Sequence, residues 1–150
     1  MPFDANLVLV DGSVTWSFAN INTSNYGTPT STTRNAGGFA VIDMGGAGVP
    51  SDMRGLAVVL IMPSTVTATD ELTLIVEEST TEAFTVPHEL AKFDILAATK
   101  GVILGSEAPA TVIRRIVSTL RYLRVDASIT AADDFGLCQV LLSPYPYKYL

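Results

Sequence analysis

The clearest hydrophobic pattern in the chain runs through residues 121–129. Leu123, Val125, Ala127 and Ile129 alternate with Tyr122, Arg124, Asp126 and Ser128, and a period of two predicts a half-buried strand rather than a helix. Small or polar residues at 130–134 separate it from the apolar run 135–142. That arrangement predicts a two-stranded antiparallel unit with its turn at about 131–134. The same period over 71–78 sets Leu72, Leu74 and Val76 inward against Thr73, Ile75 and Glu77. Residues 56–62 are apolar throughout, as in a central strand covered on both faces.

Shorter strands are expected at 7–10, closed by the turn dipeptide Asp11-Gly12, and at 14–21 around Trp16 and Phe18. Others are expected at 39–44, before the glycine cluster Gly45-Gly46-Ala47-Gly48, and at Val102-Ile103-Leu104 and 112–117. The pattern breaks at 79–82, ahead of Phe84 and Val86. Residues 87–93 read as one helical turn, because proline suits a first helical position and Leu90 and Phe93 share a face at a spacing of three. About eight antiparallel strands and scarcely any helix predict an all-β sandwich, jelly-roll-like or immunoglobulin-like.

Two segments stand outside this pattern. The tract 22–38 is almost entirely Thr, Ser, Asn, Gly and Pro, with Tyr26 and Arg34 as its only large side chains. It cannot bury enough apolar surface to fold alone, which makes it a candidate partner-binding arm. In 144–150, Pro144 and Pro146 alternate with Tyr145, Tyr147 and Tyr149. Each proline lacks a donor and restricts its predecessor, so an extended tail is expected from Ser143 onward, with tyrosines suited to an interface.

Composition sharpens the expectation. At 150 residues, 1–150 is read as a single domain. The chain is 48% apolar and only 16% charged, with a mean hydropathy of +0.37, where about 25% charged residues is usual. The longest apolar run is far short of the roughly 20 residues of a spanning helix, and no signal-peptide pattern opens the chain. Burial of surface in an oligomer or assembly is the remaining explanation. The net charge of −6 and pI of about 4.5 argue against nucleic acid as a partner. The charge is uneven. Between 70 and 94 stand Asp70, Glu71, Glu77, Glu78, Glu82, Glu89 and Asp94 against Lys92, while Arg114, Arg115, Arg121 and Arg124 cluster downstream. Such patches suit contact between copies or ion pairs within the sandwich.

Candidate chemistry is sparse. His88 is the single histidine and Cys138 the single cysteine, so no internal disulfide forms and a buried thiol is expected. No Gly-x-Ser-x-Gly elbow accompanies His88, which reads as a surface or turn histidine. No Lys-Ser/Thr follows the glycine cluster, so it is a turn and not a phosphate loop. Glu77 and Glu78 face opposite sides of a strand and cannot form a paired acid and base. Asp133 and Asp134 fall in a turn with too few oxygen ligands for calcium. The chain is therefore read as a non-enzyme, with no catalytic, metal or cofactor site.

Several elements in order resemble one family. Asp4-Ala5-Asn6-Leu7 with Asp11, Val41-Ile42-Asp43-Met44-Gly45, the strand pair 56–62 and 72–78 leading to Ser79 and Phe84, and Arg121-Tyr122-Leu123-Arg124-Val125 resemble the Bordetella-phage-type capsid cement proteins of tailed bacteriophages. The Ile-Asp-Met-Gly and Arg-Tyr-Leu-Arg-Val elements are the most specific, and the resemblance spans nearly the whole chain. It implies a jelly-roll sandwich on the outer surface of a virion head, clamping neighbouring major capsid subunits against internal DNA pressure; charge and run length add that neither nucleic acid nor a membrane is expected as a partner. It implies symmetric self-assembly, and because a trimer on a local threefold axis multiplies weak contacts by avidity, a homotrimer is expected before a dimer. The long 22–38 tract and the Pro/Tyr tail depart from the family pattern. The expected interface residues are Tyr26, Arg34, Arg114, Arg115, Arg121, Arg124, Tyr145, Tyr147 and Tyr149. The alternative function is a carbohydrate- or receptor-binding sandwich on a virion, although Trp16 is the single tryptophan available for an aromatic platform.

Overall fold

A computed structural model describes residues 7–12, 41–45, 56–62, 72–95, 111–129 and 135–144. They form eight strands: β1 (Val8–Asp11), β2 (Ile42–Asp43), β3 (Leu56–Ile61), β4 (Leu72–Ser79), β5 (His88–Ile95), β6 (Thr111–Ile116), β7 (Tyr122–Ile129) and β8 (Gln139–Pro144). The expected strands at 14–21 and 102–104, the 22–38 tract, the turn at 131–134 and the tail beyond Pro144 lie outside the described residues.

Every described strand pairing is antiparallel, in two four-stranded sheets of order β1-β8-β3-β6 and β2-β7-β4-β5. The first strand pairs with the eighth, the second with the seventh, the third with the sixth and the fourth with the fifth. This is one long hairpin ribbon rolled up so that its layers become two sheets, closed by the β3–β8 and β4–β7 ladders. That order is a jelly roll.

The inner faces meet in one core. Leu9, Val10, Leu56, Val58, Leu60, Ile116, Val140 and Leu142 come from one sheet, and Ile42, Leu72, Leu74, Val76, Phe93, Leu123, Val125 and Ala127 from the other. The alternation in β4 and β7 therefore faces as predicted. The double apolar character of β3 is also explained. Ala57 and Val59 alternate with the core residues and so face away from it, yet they are 0% and 3% exposed. Leu141, directly opposite Val59, is 6% exposed. The middle of this sheet, at β3 and Leu141 of β8, is buried on both faces.

Three expectations are corrected. β7 and β8 do not form a hairpin; they lie in different sheets, and β8 sits between β1 and β3. Both bury apolar residues in the same core, and facing sheets achieve that as well as a hairpin would. Residues 87–93 are not a helical turn; Pro87 precedes β5 and 88–93 belong to it. The register against β4 shifts between Val76 and Glu77, which pair with Ala91 and Glu89. Leu90 is thus an extra residue, and Leu90, Ala91 and Phe93 all reach the core. A bulge has produced the spacing of three that imitated a helix. Finally, β8 runs through Ser143 to Pro144, opposite Ala57 and Leu56. The described pairing with β1 ends at Leu141, and a proline at the end of a strand is tolerated.

Candidate partner interface

The β6–β7 connection and the ends of β2 and β4 converge at one end of the sandwich, where acidic side chains hold the loops. β2 is short because Gly45 takes a φ of +65° and its N–H donates to Asp43 Oδ1 at 2.9 Å. Arg121, just before β7, grips the same carboxylate with two donors, Nε and Nη2, each at 2.7 Å. Its carbonyl accepts from the N–H of Met44 at 2.8 Å. The Arg121 guanidinium, followed by the Gly45 N–H, lowers the pKa of Asp43 from 3.8 to about 2. The two elements most specific to the resemblance, Ile42-Asp43-Met44-Gly45 and Arg121-Tyr122-Leu123, are thus neighbours in space, with Ile42 opposite Leu123 and Asp43 opposite Tyr122.

Glu77 and Glu78 face opposite sides of β4, as the period of two requires. Glu77 meets Arg124 across the β4–β7 ladder at 2.8 Å, with only 10% and 14% of the two side chains exposed. The Arg124 guanidinium also lies 4.4 Å from the ring centre of Phe84. Phe84 is buried at a φ of +48°, a conformation unfavourable for a bulky residue. The turn before β5 is held by the Phe84 N–H donating to the Thr81 carbonyl and by the Ser79 hydroxyl accepting from the Thr81 N–H.

Glu78 occupies a position in step with Leu72, Leu74 and Val76, and is 5% exposed. Its carboxylate accepts from the N–H groups of Thr119 and Leu120 at 2.8 and 3.0 Å and from the Ser118 hydroxyl at 2.9 Å. Burial raises its pKa, but the Leu120 and Thr119 N–H groups and the Ser118 and Thr119 hydroxyls together hold it below the ordinary carboxylate value. An acid in step with three core leucine and valine positions was the sequence signal for this clamp, and no reading of motifs picks it up.

The expected interface residues separate into three sets. Tyr26, Arg34, Tyr145, Tyr147 and Tyr149 lie outside the described residues. Arg121 and Arg124 have acidic partners within the subunit, the second of the two arrangements their clustering allowed. Arg114 and Arg115 are exposed on β6, and the Arg114 guanidinium lies 5.7 Å from the Phe93 ring centre on β5. His88 is exposed at the start of β5, and Cys138 is a buried thiol that donates to the Phe135 carbonyl. Among the described residues no three His, Cys, Asp or Glu side chains group as metal ligands.

Compared with known protein families the chain matches none, and no curated protein matches it.

Proposed function

We propose that this protein is a structural cement, or decoration, protein of a bacteriophage capsid. It binds the outer surface of the head and clamps neighbouring major capsid subunits against internal pressure. The observation that carries this reading is the pairing of the two most specific resembling elements. Residues 42–45 and 121–123 are far apart in the chain but form one ladder and one bidentate ion pair. Two motifs that resemble the same family and also brace each other form a single structural unit, which favours a shared fold over chance similarity.

The distribution of side chains supports a scaffold. The described acids of β2 and β4 hold loops or pair with arginines, which is how a protein that bears load uses charge. The outward face of β7 carries Tyr122, Arg124, Asp126 and Ser128, whereas the outward residues of β3 are Ala57, Val59 and Ile61. One sheet is thus polar outside and the other apolar on both sides, with Ala57 and Val59 buried within the subunit itself. The acidic pI suits a place outside the shell, away from DNA.

The test is sedimentation with undecorated heads. The intact chain should travel with the heads, and a chain lacking 145–150 should remain folded by circular dichroism but bind less. Failure of the intact chain to sediment with any head, together with capture on a glycan array, would replace the cement reading by the carbohydrate-binding one.

A further inference from the structure

The four strands at sheet edges are β1 and β6 in one sheet and β2 and β5 in the other. Edge strands expose a half-used hydrogen-bonding ladder, which proteins guard with bulges, charges or shortness. β2 has two residues. β1 has four, with a register irregularity between Val8 and Val10. β5 carries the extra Leu90 and the exposed, charged Glu89 and Lys92. β6 differs from all three. Its six residues run in unbroken register along β3, no described strand lies on its outer side, and Thr111, Ile113, Arg114 and Arg115 are exposed.

The face of this sheet that turns from the core shows what the edge accepts. Val8 lies opposite Leu141, Leu141 opposite Val59, and Val59 opposite Ile113. This apolar row crosses all four strands and stops at Ile113, which is 43% exposed. We propose that β6 is a self-association edge, on which two copies pair their β6 strands antiparallel about a two-fold axis at Ile113. The row then continues through Ile113 of the second copy and out along its own sheet.

Register decides between this arrangement and its neighbours. A two-fold axis normal to the sheet keeps outward residues outward only if the axis passes through a residue position, because successive side chains change face. Centred on Ile113, the pairing sets Arg115 opposite Thr111 and Arg114 opposite Val112. Centred one residue later, it would set Arg114 against Arg114, and like charges directly opposite are destabilising. The inward Arg114 can keep its place over Phe93. An isologous contact of this kind closes at two copies.

Site-directed cross-linking tests the pairing. Cys138 is buried, so an added surface thiol is the reactive one. Ile113→Cys should give a covalent dimer as the main product of mild oxidation, since residues directly opposite have Cβ atoms about 5 Å apart. Val86→Cys and Leu137→Cys, at 69% and 53% exposed positions, should give only background. Light scattering of the unaltered chain should rise with concentration towards two copies of 15.9 kDa. Ile113→Lys should return it to one copy, and the cysteine variant tests the edge even if the lysine variant fails to fold. Equal cross-linking at all three positions, a monomer at every concentration, or a trimeric mass would overturn the pairing. The proposal stands apart from head binding: a dimer that ignores heads keeps this edge and removes the cement reading, and a trimer that decorates heads does the reverse.

Discussion

Glu78 is the residue on which one end of the sandwich depends. Its single carboxylate satisfies two backbone donors of the β6–β7 turn and the buried Ser118 hydroxyl, whose other acceptor within reach is the Leu120 carbonyl. Leaving such donors without an acceptor costs about 1–3 kcal/mol each. Glu78→Ala should therefore lower unfolding free energy in urea by about 2–4 kcal/mol. Glu78→Gln should recover only part of that, since its amide brings donors to a site that needs acceptors. A carboxylate with a native pKa below its unfolded value contributes stability above the unfolded value and loses it as pH falls through the native one. Glu78 and Asp43 both act in this sense, Asp43 over the window from 3.8 down to about 2. Stability should fall with acidification below about pH 4, and the Glu78→Gln variant should show a shallower fall in an acid titration followed by circular dichroism.

At the scale of the element, strands with strict alternation could be read from the chain and irregular ones could not. β4 and β7 each set one apolar face against one polar face, and a period of two fixes both their type and their orientation. Val125 is 1% exposed, opposite Val76 in the β4–β7 ladder. Val125→Asp places an unpaired charge there, and should abolish cooperative unfolding, whereas Asp126→Val, on the outward side, should leave the melting temperature nearly unchanged. If the outward change proves the more damaging, the orientation of β7 is wrong. β5 escaped this reading because its bulge adds Leu90 to the inward set and turns a period of two into an apparent spacing of three. The pairing partner of β8 escaped it because periodicity records which face is buried and carries nothing about which strand lies alongside. The surroundings of the arginines were partly legible for a related reason. A cluster of arginines predicts that acids are near, but only the structure shows that Arg121 and Arg124 find Asp43 and Glu77 within the subunit. The left-handed Phe84 gave no signal at all, because nothing in the residue type favours a positive φ.

For the whole molecule, the nested pairing of strands has a consequence in time. Val8 on the first strand finds its partner at Leu141 on the last, so the ladder between them closes only when nearly the entire chain is present. Loops of that length must be closed before contact repays the entropy, and folds dominated by such distant pairings reach the native state in milliseconds to seconds. β8 is also the inner neighbour of both β1 and β3. A chain ending before residue 139 should therefore show no cooperative unfolding transition, and the complete chain should refold in a slow phase within that range by stopped-flow fluorescence. On the ribosome the first strand would have to wait for the last, so the jelly roll finishes forming only after synthesis has delivered 139–144.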